Sequence, residues 1–169
     1  MFTTEWLIVW MIEFGVFDIL WDTKKTHMQL VQRSGEIFKV LPKEGLLTMD
    51  LLRQFWSLSK TDYKSEVFKI LNDAAFYLKP EHTEYLFDEI TQTPPTKLGM
   101  EEFDALSGFG RYSRSPEFQA KTSEFFARII NNSDEFKADL IENCINKYAE
   151  MIKPASMEKK QPYFDDLVT

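Results

Sequence analysis

The residue types that most often carry enzyme chemistry, cysteine and histidine, are few in this chain. There is one cysteine, Cys144, and there are two histidines, His27 and His82. A nucleophilic thiol must ionise, so it needs a nearby base, and it usually lies where a loop meets a helix N-terminus. Cys144 instead lies in the middle of an apolar helical run, which predicts a small buried core residue rather than a reactive thiol.

The same residues give no metal or disulfide signal. The two histidines each lie near a predicted helix start, with no second histidine or cysteine at ligand spacing. A lone cysteine excludes both a disulfide within the chain and a zinc cluster built on cysteines, and it fits a reducing compartment. We therefore predict no metal ligand, no cofactor and a cytoplasmic location.

Carboxylates are the remaining candidates for acid and base chemistry. Neighbouring acidic pairs occur at Glu101-Glu102, Asp134-Glu135 and Asp165-Asp166. A glycosidase-like pair could be assembled from distant carboxylates, and this alternative stays open. The first two pairs lie at predicted helix starts, where the helix dipole explains them without catalysis. Because no phosphate loop, nucleophile elbow or calcium loop is present, no catalytic or cofactor-binding residue is predicted.

The loop at residues 111–116 (RYSRSP) has two interpretations. A phosphate on Ser115 would meet both a helix N-terminus and two arginines, Arg111 and Arg114. Without modification, Ser115 followed by Pro116 and Glu117 is a strong start signal for a helix, because it combines a cap, a pre-set φ and an anion. The capping role is the better explanation of the pattern.

Charge and hydropathy limit the classes of partner that the chain is expected to bind. The 27 acidic residues outnumber the 20 basic ones, so the net charge of −7 repels phosphate backbones and predicts no nucleic-acid partner. The most apolar run, residues 6–12, is too short to span a bilayer and lacks the basic start of a signal peptide. We therefore expect protein partners and no membrane partner. The acidic balance fits either a basic partner surface or solubility alone.

The elements that would position these residues are helices. The 15 phenylalanines and 4 tryptophans need a packed core, and the apolar residues recur at helical spacing. The first helix is predicted at 4–14, with Trp6, Val9 and Trp10 on its period, and Gly15 separates it from a short helix at 16–21. A second helix is predicted at 26–41, where Pro42 and Gly45 end it and Met28 belongs to its apolar face.

The remaining helices are placed by their caps and their apolar stripes. Thr48 and Asp62 are predicted caps, Pro80 a first helical position, Ser115 a cap, and Ser133 the opening of the last long helix. Met100, Phe103, Leu106 and Phe109 form a short helix, residues 71–78 belong to another, and Pro154 ends the last one. Together the pattern predicts an all-α chain of seven or eight short antiparallel helices.

Helix starts recur near 26, 62, 99 and 133, at intervals of about 34 to 37 residues, which is the period of α-solenoids. The spacing predicts one helical-repeat domain over residues 1–153 and a polar, flexible C-terminal tail at 154–169. The chain start carries a large aromatic cluster: Trp6, Trp10, Phe14, Phe17 and Trp21. This cluster either folds onto the second helix or contacts a preceding repeat.

Three stretches in the first half of the chain resemble a known family. They are residues 16–22 (VFDILWD), 29–38 (QLVQRSGEIF) and 41–48 (LPKEGLLT), together with Phe55-Trp56 and the 71–78 helix. They are similar to the region upstream of the catalytic domain in large ubiquitin carboxyl-terminal hydrolases of the fat-facets type. The resemblance fades after Pro94.

The resemblance implies an armadillo- or HEAT-like stack within a cysteine-type deubiquitinase, the ubiquitin-specific protease family. Because the Cys box and the His box of that family are absent here, no active-site residue carries over. The expected function is a non-catalytic scaffold and protein-interaction segment, with neighbouring repeats of the parent protein and unidentified proteins as partners. A free-standing helical adaptor unrelated to ubiquitin is the alternative.

Overall fold

Helices account for all regular secondary structure in the computed structural model, which describes residues 3–152. The described range contains nine α-helices and short 3₁₀ turns, and no strand. The α-helices are α1 (Thr4–Glu13), α2 (Val16–Leu20), α3 (Met28–Lys43), α4 (Met49–Ser57), α5 (Lys64–Ala74), α6 (Pro80–Thr91), α7 (Met100–Tyr112), α8 (Pro116–Asn131) and α9 (Ala138–Ile152). The prediction of an all-α chain is confirmed for this range.

Several helix boundaries follow from local residue chemistry. Thr48 Oγ1 accepts the Leu51 N–H at 3.3 Å at the start of α4, and Pro80 is the first residue of α6. Gly15 separates α1 from α2 with a φ of 62°, a left-handed conformation that costs glycine little. The predicted break at Gly15 and the start signals at Thr48 and Pro80 are therefore confirmed.

The predicted end of the second helix is wrong. Pro42 lies inside α3, which continues to Lys43 instead of ending at Leu41. Proline removes only its own N–H, and the next turn still closes because the Glu44 N–H reaches the Val40 carbonyl at 2.9 Å. Leu41 and Pro42 are both buried, so packing favours the extra turn. Gly45, with a φ of 71°, then ends the helix as predicted.

Asp62 is not a helix cap. The chain passes through a 3₁₀ turn at Leu58–Lys60, and Thr61 Oγ1 accepts the Tyr63 N–H at 3.2 Å, which closes a local turn around Asp62. Helix α5 therefore starts at Lys64, after Tyr63, which has no side-chain cap. The Tyr63 hydroxyl instead donates to the Thr26 carbonyl at 2.9 Å and fastens the start of α5 to the start of α3.

Two further boundaries differ from the sequence prediction. Helix α5 ends at Ala74, and Ala75–Tyr77 form a 3₁₀ turn, because the chain must become extended before Pro80. Residues Ser133–Glu135 form a 3₁₀ turn of their own, so the last helix begins at Ala138 rather than at Ser133. The predicted terminator of that helix, Pro154, lies outside the described residues, as does the predicted tail at 154–169.

The odd-numbered helices pack on one another in succession, α3 on α5, α5 on α7 and α7 on α9. Helices α3, α5 and α7 begin at evenly spaced positions, and α9 begins slightly late. Polar contacts connect each helix to the next one in this series. Lys39 of α3 pairs with Asp73 of α5 at 3.1 Å, and Asp104 of α7 pairs with Lys147 of α9 at 3.2 Å.

Small residues allow close approach between these helices. A Cβ on Gly35 of α3 would lie 2.5 Å from Ile70 Cδ1 of α5, so the neighbouring helix occupies the space that glycine leaves. The neighbouring small residue, Ser34, connects α3 to the end of α2, because its hydroxyl accepts the Trp21 indole N–H at 3.0 Å. Helices α3 and α5 are therefore in close contact at Gly35.

Buried apolar side chains form one connected cluster that extends from Ile8 to Cys144. Aromatic rings fill much of it: the Phe38 and Phe55 rings stack with centroids 4.1 Å apart, and Trp21 meets Phe55 edge-on at 5.1 Å. None of the helices within residues 3–152 combines the length and apolar content needed to cross a membrane.

Candidate functional site

Cys144 lies in the core, as its sequence context predicts. It is fully buried in α9, and burial raises the pKa of its thiol to about 11. A thiol with a raised pKa stays protonated at neutral pH and is a poor nucleophile. The geometry at Cys144 is therefore that of a core residue.

The two histidines have different local roles and lie in different places. His27 precedes α3 at the surface and makes no side-chain capping bond. His82 is buried in the first turn of α6, where its Nδ1 accepts the Lys79 N–H at 3.3 Å. Burial lowers the pKa of His82, so the ring is neutral at pH 7. His82 thus satisfies a helix N-terminus from inside the core.

The carboxylate pair Glu101-Glu102 joins two helices. Glu102 is buried, pairs with Lys64 of α5 and accepts the Gly99 N–H at 3.1 Å. Its neighbour Glu101 accepts the Ser65 hydroxyl at 2.5 Å. Both carboxylates therefore have structural partners across the α5–α7 contact, which supports the non-catalytic interpretation of this pair.

The other predicted carboxylate pairs are not brought to a shared site. Asp134 and Glu135 lie in an exposed 3₁₀ turn, and Asp165-Asp166 lie outside the described residues. Over residues 3–152, no group of three or more His, Cys, Asp or Glu side chains is arranged to hold a metal ion.

Ser115 caps α8. Its Oγ accepts the Phe118 N–H at 3.2 Å and donates to Glu117 Oε2 at 2.9 Å. Arg111, which was a candidate to meet a phosphate, instead points to α9, where its Nη1 lies 3.8 Å from Glu150. The capping interpretation is confirmed. A phosphate at Ser115 would stand beside the Glu117 carboxylate, which disfavours it by like-charge repulsion.

The N-terminal aromatic cluster divides into two parts. Trp21 is buried against Phe38 of α3 and Phe55 of α4, and Phe17 is buried beside Trp21, as the first of the two predicted alternatives requires. Trp10 and Phe14 stay on the outside, with ring centroids 4.9 Å apart.

The residues of α1 that face the core are not the ones that the sequence pattern placed on its apolar period. Ile8 is the buried residue of this helix, and Met11 and Ile12 pack against the core beside it. Trp6, Val9 and Trp10 were expected on the helical period, yet they are 49 %, 37 % and 40 % exposed. Met28 of α3 is also exposed, although the pattern placed it on the buried face.

Helix α1 therefore has two apolar sides. We define the outer face of α1 as Leu7, Trp10 and Phe14, which are 49 %, 40 % and 66 % exposed. These residues are neighbours at helical spacing on the side opposite Ile8. A helix that is apolar all round is normally buried on all sides. The outer face is therefore the strongest candidate interaction surface among the described residues.

A concave surface lies between α6 and α8. This groove has a volume of about 590 Å³, and Phe87, Phe125 and Phe136 contribute its aromatic lining. Lys121, one of two cations in the lining, is held by Glu84 at 2.7 Å and by Asp88 at 2.9 Å, and it lies 4.6 Å from the Phe87 ring centroid. Glu124, Arg128 and Glu135 also line the groove, so it presents charges of both signs.

The sequence analysis did not find the outer face of α1 as a surface. The available signal was composition: α1 carries apolar residues on every side, and residues 1–23 contain acidic residues but no Lys or Arg. The chain matches no protein-family model, no curated protein and no solved structure. What the fold and its surfaces define is an all-helical chain with an exposed aromatic helix face.

Proposed function

We propose that this chain is a non-catalytic helical-repeat segment that provides scaffold and protein-contact surface. The observation that carries the proposal is the successive packing of α3, α5, α7 and α9, in which α5 lies between α3 and α7, and α7 lies between α5 and α9. In stacks of this kind each layer contacts only the layers beside it, and the long open surfaces are used to bind proteins.

The span of the polar contacts supports the same architecture. Side-chain hydrogen bonds that join successive layers connect residues 29 to 43 positions apart, close to one repeat length. Trp56 Nε1, for example, donates to Glu89 of α6 at 2.9 Å across 33 positions. This is the pattern expected of an armadillo- or HEAT-like stack.

Amide hydrogen exchange tests the repeat architecture. Cys144→Asp places a charge in the fully buried interior of α9, so in a nearest-neighbour stack α9 and α8 lose protection while α3 and α5 keep theirs. Ile145→Asp, at a side chain that is 47 % exposed on the same helix, is the matched control. Equal loss of protection throughout the chain would contradict the repeat architecture.

The parent protein we propose is a cysteine-type deubiquitinase, on the strength of the resemblance at residues 16–22, 29–38 and 41–48. The chain itself should then release no fluorophore from a ubiquitin C-terminal coumarin amide. Turnover that survives Cys144→Ala would refute a non-catalytic role. A transcript in which the reading frame runs on into a Cys box and a His box supports this parent, and one without them favours a free-standing helical adaptor.

A further inference from the structure

We propose that the outer face of α1 docks one amphipathic helix of a protein partner, whose apolar stripe is flanked by Lys and Arg. The inference rests on the proposed interaction role and names the surface and the chemistry of what binds there. Two observations carry it: the exposed apolar side chains of α1 and the sign of the charge around them.

The apolar area fits a single helix. With the exposed fractions given above, Leu7, Trp10 and Phe14 leave roughly 300 Å² of side chain in contact with water, since one aromatic side chain hides about 150–250 Å² when buried. A patch of about 300–600 Å² is the largest that a typical monomer shows, and such patches are often functional. Amphipathic helices bind through apolar anchors at positions i, i+3, i+4 and i+7, and Leu7, Trp10 and Phe14 follow the same helical spacing.

The charge around the face is acidic. Glu13 directly precedes Phe14, is exposed, and has no ion-pair partner within the described residues. Asp18 lies just beyond the end of α1. Its carboxylate lies close to the Gly15 backbone, since a Cβ built on Gly15 would be 2.9 Å from Asp18 Oδ2. The carbonyl end of α1 adds partial negative charge at the same place. A partner helix with cationic flanks is therefore complementary.

A second copy of the chain fits this face less well. A symmetric dimer would bring two identical faces together, so the Glu13 and Asp18 carboxylates of both copies would share one contact. The available area is also less than half of the about 800 Å² per partner that a stable dimer buries. An anionic bilayer is disfavoured for the same reason, because helices that lie on membranes carry Lys and Arg on their polar side.

The test uses two designed helical peptides of about 18 residues with the same Leu stripe at helical spacing. One peptide carries Lys and Arg beside the stripe, and its twin carries Glu at those positions. Binding to the full chain is followed by fluorescence anisotropy. We expect the basic peptide to bind at least about tenfold more tightly than its twin, with an advantage that shrinks as salt is raised.

Variants locate the binding on α1. Trp10→Ala should weaken binding of the basic peptide by at least about thirtyfold, the effect of removing a central aromatic anchor. Ile145→Ala, at a comparably exposed apolar residue of α9, should leave it unchanged. The double variant Glu13→Lys, Asp18→Lys should bind the acidic twin more tightly than the basic peptide. Far-UV circular dichroism verifies that each variant is folded.

Several results would overturn the proposal. These are equal affinity for both peptides, no affinity for either, or binding that Trp10→Ala leaves intact. A dimer or binding to phosphatidylserine vesicles that Trp10→Ala abolishes would assign the face to a second copy or to a membrane. If neither peptide binds while hydrogen exchange still shows that the layers lose protection independently, the repeat architecture is supported and only the proposed docking face is wrong.

Discussion

Replacing Gly35 with alanine tests the close approach of α3 and α5. Alanine is favoured over glycine in a helix interior by about 1 kcal/mol, so at a solvent-facing site this change would stabilise the protein. At Gly35 the new methyl group would lie 2.5 Å from Ile70 Cδ1 and 2.8 Å from Ile70 Cγ1. Those distances are too short for carbon atoms, so the side chain of Ile70 or one of the helices must move.

The magnitude follows from two opposing terms. Overpacking a well-packed core costs about 1–3 kcal/mol, and Ile70 has little room to relax because it is only 3 % exposed. After the helix-propensity gain of about 1 kcal/mol is subtracted, Gly35→Ala should lower the free energy of unfolding by about 0–2 kcal/mol. The sign is thus opposite to the one that helix propensity alone predicts.

A double-mutant cycle separates the contact from other effects. Ile70→Ala removes the atoms in the way and by itself should cost about 2–5 kcal/mol through the cavity it leaves. If the two side chains compete for one space, the double variant is less destabilised than the sum of the single variants by about 1 kcal/mol or more. Gln32→Ala, at an exposed position of the same helix, is the control for propensity.

The assay is equilibrium unfolding in urea, followed by far-UV circular dichroism and by tryptophan fluorescence, to which the buried Trp21 contributes. Strict additivity of Gly35→Ala and Ile70→Ala would refute the close contact. The close contact would also be refuted if Gly35→Ala stabilised the protein by the full helix-propensity gain of about 1 kcal/mol. Either result would mean that α3 and α5 are further apart than the structure places them.

Three more predictions follow from buried and capping residues. Leu71→Asp and Phe126→Asp should each abolish the cooperative melt, because both side chains are fully buried and an unpaired charge would enter the core; an unchanged melting curve would show that these faces are misassigned. The buried His82 has a pKa below its usual value of 6.5, so between the folded-state pKa and 6.5 the unfolded chain binds more protons. Stability is therefore full above pH 6.5 and falls as the pH drops through that window, and His82→Gln should flatten the dependence in urea titrations at stepped pH. Ser115→Ala removes the oxygen that accepts the Phe118 N–H and should lower the unfolding free energy by about 1 kcal/mol, whereas Ser115→Asp, which keeps an acceptor, should lose less.

Local sequence rules were sufficient for much of this fold. The all-helical class, the break at Gly15 and the caps at Thr48 and Ser115 depend on residues within one helical turn of each other, so short sequence windows contain the necessary information. The core position of Cys144 followed in the same way from its apolar neighbours. The architecture of stacked repeats and the ubiquitin-related parent remain proposals.

Tertiary contacts decided the features that short sequence windows cannot predict. Helix α3 runs through Pro42 because that residue is buried, and Asp62 is not a cap because the chain turns there and α5 begins only at Lys64. The orientation of α1 is the sharpest case. With Ile8 on one side and Trp10 on the other, its apolar period allows either side to face the core. Only the packing of distant helices selects Ile8 and leaves Trp10 and Phe14 on the surface, because the side that fits the core is fixed by shape and not by hydrophobicity.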